Sequence, residues 1–67
     1  MEITVKFGNS EIKFQEADID KIEEMAFDND TIISITLKDK RVILLPISKE
    51  EFERRIQNGE TTFEISL

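Results

Sequence analysis

"DIDKIEEMAFD", residues 18–28, is the stretch where the apolar spacing of the chain changes. Its apolar residues fall three or four positions apart: Ile19, Ile22, Met25 and Ala26. This spacing is typical of a helix that lays one apolar stripe on a core. Asp18 or Asp20 can cap its start, and acidic residues in the first turn favour the helix dipole. The stretch therefore predicts a helix from about Asp18 that is apolar on one face and acidic on the other.

The residues before this stretch predict a β-hairpin. Apolar and polar residues alternate on both sides of Gly8-Asn9, two residues that favour a tight turn. If these two form the loop, Val5 faces Ile12, and both point to the same side of the sheet. The other cross-strand pairs also match in character, so the sequence predicts the register as well as the turn.

A second hairpin follows, with a turn expected at Asp39-Lys40. The strand before that turn carries three apolar residues on one face: Ile33, Ile35 and Leu37. The strand after it, "RVILLPI", is apolar on both faces, as in a strand that is covered on both sides. We expect Val42 and Leu44 to share the face of the preceding strand. The remaining apolar residues of this strand then point to the opposite face, which another part of the structure must cover: Ile43, Leu45 and Ile47.

The clearest boundary in the chain is a helix start at Ser48. Ser48 and Glu51 match a capping box, and the flanking Ile47 and Phe52 occupy the two positions of a hydrophobic staple. We expect this helix to begin directly after Ser48 and to stop at Gly59 in a left-handed conformation. A last strand follows, with three apolar residues on one face: Phe63, Ile65 and Leu67.

Together these elements predict a single α+β domain over residues 1–67. The expected order is β-β-α-β-β-α-β, a mostly antiparallel sheet packed by two short helices. Whether the two helices cover one face of the sheet or both stays open at this stage.

Residues 30–52 contain a characteristically spaced set of residues: Leu37, Asp39, Arg41, Ile43, Pro46, Ile47 and Ser48, with Phe52 downstream. This set resembles the signature Leu-x-Asp-Gly-Arg-x-Ile-x-Val-Pro-Leu of a family of short bacterial proteins of unknown function, although Lys40 stands where the family has Gly. The resemblance implies a small α+β fold and no established activity.

The composition argues against several classes of function. The chain has no Cys and no His, so disulfides, thiolate ligands and the usual proton shuttle near neutral pH are missing. Asp28-Asn29-Asp30 lacks the Gly and Glu of a calcium loop, and no Ser has a His to activate it. We therefore predict no enzymatic activity, no metal and no cofactor. No apolar run approaches the ~20 residues of a membrane span, so we expect a cytoplasmic protein.

The acidic charge is concentrated in one segment. The net charge is −6, and residues 16–30 hold seven carboxylates against one base, Lys21. Such a surface repels phosphate and favours a basic protein partner over direct binding of nucleic acid. On a helix, carboxylates four positions apart stand ~6 Å apart, a spacing that can imitate nucleic-acid phosphates. We therefore expect a small protein-binding module acting on a basic, nucleic-acid-processing protein, as an inhibitor or nucleic-acid mimic of phage or antitoxin type.

The expected contact residues lie on this acidic helix, taken as residues 18–28: Asp20, Glu23, Glu24, Phe27 and Asp28. Charge mainly speeds the encounter, so tight binding also needs a buried anchor, for which Phe27 is the candidate. Phe27 is exposed among acids if the helix runs through residue 28. It is buried under the sheet if the helix ends near Met25 or Ala26, and both placements stay open.

The alternative function is self-association with no inhibitory role. A domain of this size buries only ~60% of the surface of its unfolded chain, so its core is thin. A homodimer through the apolar strand at residues 42–47 would compensate for that. The residues expected in such an interface are Ile43, Leu45 and Ile47.

Overall fold

The computed structural model describes residues 1–65, with only the backbone of Phe27. The elements are β1 Glu2–Phe7, β2 Ser10–Gln15, a 3-10 turn Glu16–Asp18, β3 Ile19–Phe27, β4 Asp30–Leu37, β5 Val42–Leu45, α1 Lys49–Gln57 and β6 Thr62–Ile65. The strands form two three-stranded sheets, ordered β2-β1-β6 and β3-β4-β5. Every pairing except the parallel one of β1 and β6 is antiparallel. The expected small, mostly antiparallel α+β fold is confirmed. Over the described residues it has two sheets and one α-helix, so the predictions of one sheet and of two helices are wrong.

The first hairpin has the predicted turn and register. Gly8-Asn9 forms the two-residue loop, and Gly8 has a φ of 61°, a conformation that glycine adopts without strain. Val5 pairs with Ile12, and Val5 also lies beside Phe63 of β6. β1 is therefore the central strand of its sheet.

Residues 19–27 form strand β3, so the helix predicted over this stretch is wrong. β3 pairs antiparallel with β4, and the register shifts by one residue between Ile19 and Lys21. This β-bulge places Ile19 and Ile22 on the same face, against the core, although they are three positions apart. The spacing that resembles a helix is therefore that of a bulged strand.

The rest of the apparent helical stripe does not face the core. Met25 pairs with Ile32 on the outer face of the sheet and is 44% exposed. Ala26 is also exposed. Only Ile19 and Ile22 of the four apolar residues thus pack against the core, which suits a half-buried edge strand better than a helix with a continuous apolar face.

The loop between β4 and β5 decides which face of β5 is buried. The N–H of Leu37 donates to the carbonyl of Arg41 (2.8 Å), and the N–H of Lys40 donates to the carbonyl of Leu37 (3.0 Å). These bonds define a three-residue loop instead of the expected two-residue turn. Lys40 has a φ of 78°, the left-handed conformation that closes loops of this length.

The extra loop residue reverses the predicted faces of β5. Ile43 and Leu45, expected to point away from the β4 face, pair with buried residues of β4 and lie in the core. Val42 and Leu44, expected inside, are 57% and 54% exposed. Because side chains alternate along a strand, a shift of one residue moves the whole set to the other face.

The side chain of Asp39 stabilises the same loop by hydrogen bonds. Its carboxylate accepts the backbone N–H of Arg41 (3.0 Å) and the guanidinium Nε of Arg41 (2.8 Å). The backbone hydrogen bond is the main reason why the pKa of Asp39 lies below its ordinary value of 3.8. The stabilisation by these hydrogen bonds is therefore fully present above the ordinary pKa of 3.8. It is lost as the pH falls through the lower pKa that Asp39 has in the folded state.

Helix α1 has the ends predicted for it. At its start, the hydroxyl of Ser48 accepts the N–H of Glu51 (3.0 Å). At its end, Gly59 has a φ of 82°, and the N–H groups of Gly59 and Glu60 donate back to carbonyls of the last turn. No helix in the described part of the chain is long and apolar enough to cross a membrane.

One apolar core joins the two sheets and the helix. Phe52 of α1 and Phe63 of β6 stack with their ring centroids 5.1 Å apart, and the guanidinium of Arg55 lies 5.7 Å from the Phe63 centroid. Leu67, expected on the same face as Phe63, lies outside the described residues. The buried core residues are Ile3, Val5, Phe14, Ile33, Ile35, Leu37, Ile43, Leu45, Phe52 and Phe63.

We expect Lys40→Gly to stabilise the fold. Glycine adopts positive φ without the steric strain of a side chain, so the free energy of unfolding should rise by about 1 kcal/mol and the melting temperature by about 4–8 °C. Lys38→Gly is the matched control, because it removes the same charge from the same loop at a residue whose φ is not positive. It should lower stability. Urea and thermal unfolding measure both variants, and an equal effect of the two would contradict the role given to Lys40.

Candidate functional site

The seven carboxylates of residues 16–30, here called the acidic segment, are all exposed. Because the segment is largely strand β3, successive side chains alternate between two faces. Glu23 lies opposite Ser34 on the outer face, whereas Glu24 lies opposite the buried Ile33 on the inner side. The single row of carboxylates expected on a helix is therefore absent, and the acids point in several directions.

Glu23 belongs to the outer face of the β3-β4-β5 sheet. It forms an ion pair with Lys21 at 3.2 Å, and both side chains are about 60% exposed. An exposed pair of this kind contributes little to stability. Since Lys21 is the one base of the acidic segment, the other six carboxylates are left without a neutralising side chain from the segment itself.

Glu24 has a structural contact that the sequence did not indicate. Its carboxylate accepts the backbone N–H of Lys49, the first residue of α1, at 2.8 Å. Together with the hydroxyl of Ser48, it satisfies two of the unpaired N–H groups at the helix start. The negative charge also suits this end of the helix dipole. Glu24 therefore ties α1 to β3.

The other expected contact residues lie at the two ends of β3. Asp20 is exposed at the bulge. Asp28 is the first residue of the two-residue loop between β3 and β4, with a φ of 57°. The side chain of Phe27 lies outside what the structure describes, so the choice between a buried and an exposed Phe27 lies there too.

A groove runs between β3 and α1, next to the acidic segment. Its volume is about 320 Å³, at the lower end of the ~300–1,000 Å³ found for ligand pockets. The groove, called here the β3–α1 groove, has an apolar floor of Ile19, Ile22, Phe52 and Ile56. Its polar lining consists of Glu16, Glu53 and Gln57. Glu16 and Glu53 come from different elements, the 3-10 turn before β3 and helix α1.

Sequence reasoning missed the β3–α1 groove. Ile19 and Ile22 were expected on the apolar stripe of a helix that faces the core, whereas both lie on a strand and are half-buried. The signal present in the sequence was Phe52 and Ile56, four positions apart on α1, because they needed an apolar surface to face. That this surface would be β3 depends on the bulge, which has no local signature in the sequence.

A second exposed apolar surface lies on β5. Val42 and Leu44 project from the outer face of this edge strand. Ile43 and Leu45, the residues expected in a dimer interface, are buried in the monomer and cannot provide one. Ile47 is half-buried and packs against the core.

Two properties of residues 1–65 bear on the kind of site that they can form. Over residues 1–65, no three side chains of the His, Cys, Asp or Glu types come together as a metal site. Nor is any polar or charged side chain buried there, as the desolvated groups of an active site commonly are. The described residues thus offer exposed carboxylates beside an apolar groove.

Comparison of the chain with protein-family models, curated proteins and solved structures finds no match. The resemblance of residues 30–52 to a bacterial family therefore stays a prediction, and the function is argued from the described geometry.

We expect Glu24→Ala to destabilise the fold by about 1 kcal/mol, since it leaves the N–H of Lys49 without its acceptor and removes a charge that suits the helix start. Glu23→Ala is the matched control, because the neighbouring residue has the same side chain in an exposed ion pair only. It should change stability by less than about 0.5 kcal/mol. Urea unfolding followed by circular dichroism measures both, and equal losses would show that the contact to α1 does not hold the helix.

Proposed function

We propose that this chain is a non-enzymatic protein-binding module that docks a basic protein through the acidic segment. The observation that carries the proposal is the exposure of all seven carboxylates of residues 16–30 around a single base, beside an apolar groove. An unbalanced charge of this kind attracts a basic surface over a distance of about one Debye length, ~8 Å at physiological salt. It repels phosphate, so nucleic acid itself is not the proposed partner.

The proposed class of partner is a basic protein that handles nucleic acid, with the module as its inhibitor. Proteins that bind nucleic acid carry clustered Lys and Arg, and an acidic module can occupy such a cluster. The support for this class is charge alone, because β3 does not provide the regular carboxylate row of a helix. The proposal therefore keeps the acidic docking surface but not the imitation of phosphate spacing that was expected for a helix.

The first test compares two double variants with the same change in charge. Asp20→Lys with Asp30→Lys alters the acidic segment, and Glu2→Lys with Glu64→Lys alters exposed positions on the other sheet. Proteins of a cell lysate that the immobilised chain retains at ~50 mM NaCl are identified. The affinity of each purified partner for the chain and for both double variants is then measured at low and moderate salt. We expect a basic protein whose affinity falls at least about tenfold with the first pair and much less with the second. Equal losses would show that net charge alone drives the binding.

Self-association is the second candidate, favoured by the exposure of Val42 and Leu44 on an edge strand. β5 pairs with β4 on one side and is the last strand of its sheet among residues 1–65. Such an edge can pair with the same edge of a second copy about a two-fold axis. The interface would then contain Val42 and Leu44 in place of the buried Ile43 and Leu45.

Light scattering over a wide range of concentrations tests this second candidate. A mass that rises from 7.8 kDa to twice that value supports the dimer, and Leu44→Lys should restore the monomer. Thr62→Lys adds the same charge at an exposed position of β6 and should leave the dimer intact. A constant mass of 7.8 kDa at all concentrations would exclude self-association as the function.

A further inference from the structure

The β3–α1 groove combines an apolar floor with support from the core. Phe52 in its floor is 3% exposed and stacks on Phe63, so the floor is backed by packed side chains. Ile19, Ile22 and Ile56 also pack against the core but stay half-buried. The exposed parts of these three isoleucines are apolar surface. A partner that removes this surface from water is bound more tightly.

The charged lining of the groove consists of two carboxylates. Glu16 lies at the start of the strand side and Glu53 on the helix side. Neither carboxylate forms an ion pair with a base within residues 1–65. The nearby helix bases are directed elsewhere, because Arg54 pairs with Glu51 and Arg55 pairs with Glu51 and Glu60.

We infer that the β3–α1 groove takes a segment of the basic partner in which an apolar side chain is flanked by Lys or Arg. The apolar side chain occupies the floor, and the flanking cations meet Glu16 and Glu53. A neutral apolar occupant would remove water from both carboxylates without replacing it by a partner charge, which is unfavourable. A volume of about 320 Å³ suits the side chains of one segment.

This inference rests on the proposed function and specifies how the partner is recognised. The acidic segment would speed the encounter, while the groove would provide the desolvated contact on which tight binding depends. Phe52 and Ile56 then act as the floor that receives the anchor. The anchor comes from the partner, whereas the sequence had pointed to Phe27 of this chain.

The test uses a library of random short peptides selected on the immobilised full chain. We expect the selected peptides to contain an apolar residue flanked by Lys or Arg. On the isotope-labelled chain, the amide signals that they shift should belong to Glu16, Ile19, Ile22 and residues 52–57. Glu53→Lys should weaken the best peptide at least about tenfold, because it reverses the charge at one of the two carboxylates that line the groove.

Glu64→Lys is the matched control for Glu53→Lys. It makes the same change at an exposed position of β6 that does not line the groove, and it should leave the affinity nearly unchanged. Both sites are exposed, so both variants should fold, and their melting temperatures check this. Ile56→Gln tests the floor independently and should weaken the same peptide as strongly as Glu53→Lys.

Several results would overturn the inference. Peptides without Lys or Arg that bind equally well would do so, as would signal shifts confined to β5 or to the loop at Asp28. Equal effects of Glu53→Lys and Glu64→Lys would also overturn it. If the groove signals shift with the concentration of the chain alone, the occupant is a second copy and the inference is wrong.

The two proposals fail in different ways. If a basic partner depends on Asp20 and Asp30 but not on Glu53 or Ile56, the groove inference falls and the acidic docking function stands. If neither basic proteins nor basic peptides bind anywhere on the chain, both fall.

Discussion

The neighbouring strands are arranged around one buried face of β4. β4 is the middle strand of its sheet, and its inner residues Ile33, Ile35 and Leu37 are almost completely buried. Because side chains alternate along a strand, an apolar residue of a neighbouring strand reaches the core only in one of two registers. β3 places Ile19 and Ile22 on the inner side through one extra residue near its start. β5 places Ile43 and Leu45 there through one extra residue in the preceding loop.

The candidate site is a consequence of the same adjustment. The bulge turns Ile19 and Ile22 towards the side on which α1 lies, and the alternation after it brings Glu24 within hydrogen-bond distance of the helix start. α1 is held beside β3 by this contact and by the packing of Phe52, and a groove remains between the two elements. An acidic strand and the apolar face of a helix thereby form one surface.

The proposed function uses two physical effects that act at different ranges. Carboxylates around the groove act at a distance, where they select a basic partner and repel phosphate. The half-buried isoleucines act only on contact, where the removal of water from apolar surface stabilises a complex. Neither effect requires a buried polar group, which agrees with the apolar interior of the described residues.

Features that depend on near neighbours in the chain follow from the amino-acid sequence alone. These are the hairpin at Gly8-Asn9, the two ends of α1, the α+β class and the position of the acidic charge, because turn, cap and charge are local properties. The structure of residues 19–27 is not a local property, since the spacing of Ile19 and Ile22 fits both a helix and a bulged strand. The buried face of β5 depends on whether its loop has two residues or three. The β3–α1 groove arises only in the folded chain, because its floor joins side chains that are distant in the sequence and meet only when α1 packs beside β3.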